Sequence, residues 1–370
     1  MLIGVPKEIK NHEYRVGLTP AGSKEVITAG HQVLVETNAG AQIGFSDQQY
    51  LDAGAKIVKD ANEVYGAAEM IVKVKEPQQS ECAMIRQGQV IFSYLHLAAE
   101  PELTELLVQS KSVAIAFETV TDHVGGLPLL APMSEVAGKI SIQAGAKALE
   151  KAQGGRGVLL GGVPGVAPAK VTVVGGGVAG TNAAKVAIGM GANVTILDRS
   201  LPRIRYLSDI FGNSANILYS TTQNIADSVI ESDLVVGSVL IPGASAPKLV
   251  TREMIKQMND GSVITDIAID QGGCFETSRP TSHSEPTYVE EGVVHYCVTN
   301  MPGAVARTST LALQNATLPF TIEIANKGYK QALKDNVHLL NGLNVYDGKV
   351  TYQAVAKDLG YQYQDPADLF

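Results

Sequence analysis

The chain has 370 residues, long for a single core at roughly 150 residues per domain, so two domains are expected. Hydrophobic residues make up 45% and charged residues 18%, a globular composition that excludes a disordered chain. A formal net charge of −8, with Lys and Arg scattered rather than bunched, excludes a general binder of phosphate backbones, and no nucleic-acid partner is expected.

The first segment, MLIGVPKEIKNHEYR, carries Lys, Glu and His where a signal peptide needs an apolar run. Up to about residue 130, the runs LIGV, QVLVE, AKIV, MIVKV, VIFSYL and VAIAFE read as strands rich in Val and Ile. Helix signals stand between them. Thr19 followed by Pro20 opens one helix with Gly30 as its stop, and Ser46 with Gln49 forms a capping box. Such alternation implies a parallel, doubly wound sheet. GGLPLLAP (125–132) interrupts it, 133–152 reads as one long helix, and 154–168 is a Gly-rich loop. The most apolar window, 158–180, contains Pro164, Pro168 and Lys170, so no membrane span is expected. Cys82, Cys274 and Cys297 are too few and too separated for a disulfide framework or a metal knuckle; they read as buried free thiols, and the protein as cytoplasmic.

A second series runs over 171–298, with strands VTVV, NVTILD, NILY, DLVVGS, SVITDIA and VVHYCV. Six strands are the count of a full dinucleotide-binding sheet. The stretch 308–333 reads as one helix and the tail as mixed. No metal-ligand spacing is present; Glu323 and Lys327, at i and i+4, read as an ion pair.

Within VTVVGGGVAGTNAAKVAIGMGANVTILD lies Gly175-x-Gly177-x-x-Gly180. A bare GxGxxG says little in a chain with 37 glycines, but here a β-branched strand precedes it, an Ala-rich helix follows, and a second strand ends in Asp198 about 20 residues on. Gly175 makes the tight turn, Gly177 lets the backbone approach the pyrophosphate, and Gly180 lets helix pack on strand. The first turn, Val178 and Ala179 included, offers N–H groups and a partial positive charge to the phosphates. Asp198 would bond the ribose hydroxyls and repel a 2′-phosphate, favouring NAD over NADP, although Arg199 beside it could greet that phosphate. Ser220 and the Ser238-Val239-Leu240 turn stand where an adenosine is usually bordered, or are plain loop residues. The fold expected is α/β, with two doubly wound parallel-sheet domains joined by long helices across a cleft. One is a Rossmann NAD-binding domain over 131–306; the other is a discontinuous domain over 1–130 plus 307–370, because the C-terminal part is too small to fold alone and returns to the first.

Nearly end to end, the chain resembles the alanine dehydrogenase family. Gly4-Val5-Pro6-Lys7-Glu8, Asn11 to Glu13, and Arg15-Val16-Gly17-Leu18-Thr19-Pro20 resemble its first signature, and 173–198 its second. VKVKEP around Lys75, YLHLA around His96, IAID ending at Asp270 and VTNMPGAV around Asn300 complete the pattern. Gly17 departs from it, since Ala is more usual there; beside Arg15, it would loosen that loop. Arg203 stands where a lysine is common near the adenosine. The fold is shared with the soluble NAD-binding part of proton-translocating transhydrogenase, the alternative reading, but Pro132-Met133-Ser134-Glu135-Val136-Ala137-Gly138 has the dehydrogenase form.

The resemblance implies reversible NAD-dependent deamination of L-alanine to pyruvate and ammonium, by a homohexamer without a membrane partner. It implies Arg15 as the carboxylate anchor, on a polar loop where a guanidinium can bind both oxygens; on the residues alone, Arg15 is an exposed surface arginine. Lys75 would grip the carboxylate or polarise the 2-oxo group, or be a solvated strand-end lysine, since Lys73 and Lys75 alternate outward. His96, at a carboxyl edge, is the natural proton shuttle, or a histidine satisfied at a strand end. Asp270 would share proton transfer or orient the amine, or cap the turn before Gly272-Gly273. Ser134, Ile267, Ala268, Ile269, Arg279, Val298, Thr299, Asn300 and Met301 are placed along the nucleotide by the same resemblance.

Overall fold

Thr19 and Pro20 begin the first helix, Pro20–Thr28: Thr19 Oγ1 accepts the Gly22 N–H at 3.2 Å, and Gly30, at φ +93°, turns the chain away after it. The box at the head of Asp47–Asp52 is reciprocal, with Ser46 N–H donating to Gln49 Oε1 at 2.8 Å and Gln49 N–H to Ser46 Oγ at 3.4 Å. A computed structural model describes residues 1–239 and 246–370. The chain divides into two units, Met1–Pro132 with Ala306–Phe370, and Met133–Val305.

The first unit opens with strands β1 (Leu2–Val5), β2 (Gln32–Glu36), β3 (Lys56–Val58), β4 (Met70–Val72), β5 (Val90–Ser93) and β6 (Val113–Ala116). The second carries β7 (Lys170–Val174), β8 (Asn193–Asp198), β9 (Ala215–Tyr219), β10 (Leu234–Gly237), β11 (Val263–Asp266), β12 (Thr287–Glu290) and β13 (Val293–Tyr296). The chain then returns to the first unit with β14 (Leu343–Tyr346) and β15 (Lys349–Val350).

In the first unit the order is β15-β14-β6-β5-β4-β1-β2-β3, and β1 to β6 are all parallel. In the second it is β12-β13-β11-β10-β7-β8-β9, all parallel except β12. Each sheet therefore reverses direction once, between β1 and β4 in one and between β7 and β10 in the other. In open α/β sheets, ligands bind outside the strand carboxyl ends at such a switch point. The central strands β5, β6, β10 and β11 are buried along their whole length because helices cover both faces.

Four features depart from the sequence reading or add to it. The long helix spans Ala131–Ala148 and gives way to a 3₁₀ turn at Lys151–Gln153. The late helix is two, Ala306–Lys327 and Tyr329–Asp335, broken at Gly328 with φ +74°. The tail adds β14 antiparallel to β6, and a hairpin adds β12 to β13. Lys327 does pair with Glu323, at 3.1 Å, and also with Asp335, at 3.0 Å. Cys82, Cys274 and Cys297 are buried free thiols, pushed up by burial to about 11, 12 and 11. Among the described residues, no helix is long and apolar enough to cross a membrane.

Candidate functional site

At the first switch point, the loop leaving β1 carries Arg15. Far from being a surface arginine, it is 2% exposed: Nε donates to Glu13 Oε1 at 2.7 Å and a terminal nitrogen to Glu13 Oε2 at 2.6 Å. The loop is pinned to the helix Ala306–Lys327, with Val16 N–H donating to Thr310 Oγ1 at 3.3 Å and Thr19 N–H to Gln314 Oε1 at 2.6 Å. It also packs directly on the end of β4. A Cβ on Gly17 would overlap the carbonyl of Val72. The glycine thus draws the loop tighter rather than loosening it, which corrects the sequence reading. A depression of about 300 Å³ opens over this loop, and Arg15 lines it together with Lys7, Lys10, Asn11 and Gln42.

The two lysines of MIVKVK have different fates. Lys73 does not alternate outward; it is fully buried, its Nζ 3.1 Å from both Glu8 Oε2 and Glu81 Oε2. Burial lowers its affinity for a proton, but the two carboxylates outweigh that and raise it. A second Glu8 oxygen accepts the Val74 N–H at 2.6 Å and the Lys75 N–H at 3.4 Å, fixing the backbone on which Lys75 stands. The Lys75 side chain is 15% exposed, with Nζ 3.5 Å from Glu76 Oε2. Burial pushes the Glu76 carboxyl up, yet Lys75 and Lys10 hold it down to about 2.

His96 follows β5 in the left-handed region, at φ 51° and ψ 38°. A non-glycine residue there costs on the order of 1–3 kcal/mol and persists where neighbours over-determine it. They do. Glu118, on the turn after β6, accepts the His96 N–H at 2.6 Å and the Leu95 N–H at 3.2 Å on Oε1. The imidazole stacks on Tyr94, centroids 5.9 Å apart and planes 10° off parallel, while Tyr94 donates its hydroxyl to Leu129 O at 2.5 Å. The His96 side chain is 44% exposed.

In the second unit, the three glycines of the turn after β7 sit in three different surroundings. Gly175 adopts φ +98°. A Cβ on Gly180 would overlap the carbonyl of Gly175, whereas one on Gly177 would meet nothing within 4 Å. Space is therefore left where a pyrophosphate would approach, at the head of the helix Val178–Gly189, with Val178 exposed and Ala179 half-buried behind it. Asp198 ends β8; its Oδ2 accepts the Gly176 N–H and its Oδ1 the Ser200 N–H, each at 2.8 Å. Arg203 braces the same turn, donating to Gly176 O at 2.5 Å and Thr181 Oγ1 at 2.7 Å. Ser238 Oγ donates to Gly175 O at 2.7 Å, Val239 packs beside Gly175, and Ser220 N–H donates to Asp198 O at 2.9 Å. Leu240 lies outside the described residues. The helix Ala131–Ala148 meets the dinucleotide helix at Gly138, where a Cβ would overlap the Ala179 carbonyl; Ser134 lies one turn earlier, half-buried.

The turn Ile267–Gln271 follows β11 with Ala268 and Ile269 buried, Ile267 half-buried and Asp270 exposed at its far end. Asp266 caps the start of this turn, and Asp270 lies within it. Buried Asp266 accepts the Ala268 N–H at 3.1 Å, the Cys274 N–H at 2.9 Å and the Ser278 hydroxyl at 2.6 Å. Burial pushes its carboxyl up to about 6 against those three bonds. Arg279 lies 3.8 Å over the Tyr288 ring. Val298 and Met301 are buried against Ala137 and Ile140, Thr299 is exposed, and the Asn300 carbonyl accepts from His283 Nε2 at 2.7 Å. Reading the sequence missed Glu13, Glu118 and Asp266. Each is a carboxylate whose partner is a backbone group or a close neighbour, a pairing that leaves no spacing motif.

A doubly wound sheet with this glycine turn, and an acid at the end of the next strand, fits a dinucleotide and defines an NAD-binding oxidoreductase. Residues 4–137 match the N-terminal domain and 141–353 the C-terminal domain of alanine dehydrogenase/PNT. The chain belongs to the alanine dehydrogenase/PNT family. It is 58% identical over 369 residues to an alanine dehydrogenase of Halomonas elongata, covering 100% of both chains. It is 52% identical to a solved L-alanine dehydrogenase, with a TM-score of 0.94 over 97% of this chain and 99% of that one. A transhydrogenase structure from Sinorhizobium meliloti, 24% identical, shares the fold at a TM-score of 0.81 over 96% and 100%.

Proposed function

We propose that the protein catalyses the reversible NAD-dependent oxidative deamination of L-alanine to pyruvate and ammonium. The observation that carries this is the full-length match to alanine dehydrogenases at 58% identity. The transhydrogenase alternative has in its favour only a shared fold at 24% identity.

The chemistry asks for a carboxylate anchor, a proton shuttle and a hydride acceptor. NAD, when bound, would supply the hydride acceptor. Its pyrophosphate would lie at Gly175, Gly177, Val178, Ala179 and Gly180, its ribose hydroxyls on Asp198, and its adenosine beside Arg203, Ser220, Val239 and Leu240. Ser134, Ile267, Ala268, Ile269, Asp270, Arg279, Val298, Thr299, Asn300 and Met301 would serve its nicotinamide half. Arg15 holds the substrate carboxylate, which its buried, pre-oriented guanidinium favours. Lys75 polarises the 2-oxo group of pyruvate or adds a second grip. His96 takes a proton from the attacking water as the carbinolamine forms and returns it as ammonia leaves. Asp270 shares that transfer or orients the amine. On this reading 1–130 plus 307–370 is the substrate and catalytic domain, and 131–306 the NAD-binding domain. We further infer a cytoplasmic homohexamer without nucleic-acid or membrane partners, tested by light scattering for six times 39.0 kDa and by fractionation.

The functional test is NAD reduction against L-alanine, L-serine and glycine. L-alanine is expected to have the highest kcat/KM. Reduction with none of them, combined with hydride exchange between two nucleotides, would establish the alternative.

A further inference from the structure

We propose that Glu118 is the positioning residue of the proton shuttle: it holds the backbone of His96 in its left-handed turn and so aims the imidazole. The proposal rests on the reading of His96 as that shuttle. Glu118 stands on Phe117–Thr119, a turn at the carboxyl end of β6, next to the carboxyl end of β5 from which His96 departs. The two residues are 22 apart in sequence, and only the parallel pairing of β5 with β6 brings them together.

Three observations converge on this carboxylate. It accepts the backbone N–H groups of both Leu95 and His96, the latter at 2.6 Å, so it fixes the peptide on either side of the His96 Cα entry. The residue so held is one of six non-glycine residues described at positive φ, where L side chains need outside support. Its Oε1 also lies 4.0 Å from His96 Nδ1, one side of the ring, while Tyr94 covers a face. The backbone clamp sets where the 44% exposed imidazole starts from, with a carboxylate and a stacked ring beside it, and misplacement of a reacting group by about 1 Å can cost on the order of 10²-fold in rate. The Glu118 side chain is 13% exposed, and its oxygens are already committed to the protein, so it acts through His96 rather than on substrate.

The test is a double-mutant cycle on the full-length enzyme. Glu118→Ala removes both the clamp and the charge, and Glu118→Gln keeps an oxygen for the N–H groups in nearly the same shape. Glu118→Ala is expected to lower kcat by about 10²-fold while KM for L-alanine and NADH affinity change less than about 3-fold, and Glu118→Gln to recover most of the loss. On a His96→Ala background, Glu118→Ala is expected to cost nothing further. An equal loss on both backgrounds, or wild-type kcat in Glu118→Ala, overturns the proposal. Should Glu118→Ala fail to fold, the same cycle with Glu118→Ser, whose hydroxyl is too short to reach the two N–H groups, decides: a loss that vanishes on the His96→Ala background supports the proposal, and no loss or an equal one overturns it. Near-full kcat in His96→Ala alone would instead overturn the role of His96, a separate outcome.

Discussion

Arg15 and Glu13 meet through two parallel hydrogen bonds, 2.7 and 2.6 Å, and both side chains are almost wholly buried. Removing one partner of such a pair leaves an uncompensated buried charge, at a cost of roughly 3–5 kcal/mol. Glu13→Ala is therefore expected to lower the melting temperature by about 6 °C or more, at 2–4 °C per kcal/mol for a unit of this size. KM for L-alanine should rise with it, because the guanidinium loses its orientation. A thermal melt and saturation kinetics check both, and an unchanged melt would show that the pair is not stabilising.

The anchors and the shuttle are expected to separate kinetically. His96→Ala should lose roughly 10²–10⁴-fold in kcat with NADH binding intact. Arg15→Ala should raise KM, and Lys75→Ala should raise KM and lower kcat if its ammonium polarises the carbonyl. Deamination needs a neutral amine and a histidine able to accept a proton, so it should speed up toward alkaline pH, while amination favours pH nearer neutrality. Profiles of kcat/KM in both directions for parent and His96→Ala test this; Asp270 becomes the candidate if the variant keeps both rate and profile.

NAD should be used and NADP largely ignored, since a 2′-phosphate beside the Asp198 carboxylate meets a repulsion above about 1 kcal/mol even in a wet site. Asp198→Gly should erode the preference and let Arg199 assist. The same change also removes the acceptor for Gly176 N–H and Ser200 N–H, so turnover with NAD should fall too. Equal use of both nucleotides by the parent would show that Arg199 dominates.

Asp266 gives a pH signature of opposite sense to an ordinary salt-bridged acid. Its carboxyl is raised to about 6 in the folded protein, above an unfolded value near 3.9, so the folded state holds the proton more tightly. Its contribution is complete below about pH 4 and is lost as pH rises to 6. The stability of the parent relative to Asp266→Asn should therefore decline across that window, by on the order of 2–3 kcal/mol. Denaturant titrations of both proteins from pH 4 to 7 measure it, and a flat difference would place the carboxyl at its ordinary value.

Gly17 supplies a fifth expectation. Any side chain there collides with the carbonyl of Val72, so Gly17→Ala should lift the loop from β4 and carry Arg15 with it. KM for L-alanine should rise several-fold with NADH affinity unchanged. A variant with parental KM would mean that the strand yields instead.

Much of this architecture was legible in the residues. Thr19-Pro20, Ser46 with Gln49, and Gly175-x-Gly177-x-x-Gly180 are local signals whose physics is complete within a few residues, and each forms as read. Lys73 was misread because alternation distinguishes two faces only when one of them is wet; in a parallel sheet both are covered, and the lysine is buried among glutamates from positions 8 and 81. β14 forms by pairing with the distant β6, and β12 and β15 are two- to four-residue arms of hairpins with β13 and β14, too short for periodicity to reveal.

The meeting of Gly138 with the carbonyl of Ala179 works like an index pin. Two helices that touch through side chains can slip, since one apolar residue substitutes for another along the seam. Here the notch admits one position only, because Ala137 and Lys139 on either side both carry a Cβ. The helix therefore cannot shift by a residue along its neighbour without losing its seat. Ser134, four residues earlier on the same helix, is held in register by an atom that is missing rather than by a bond that is made.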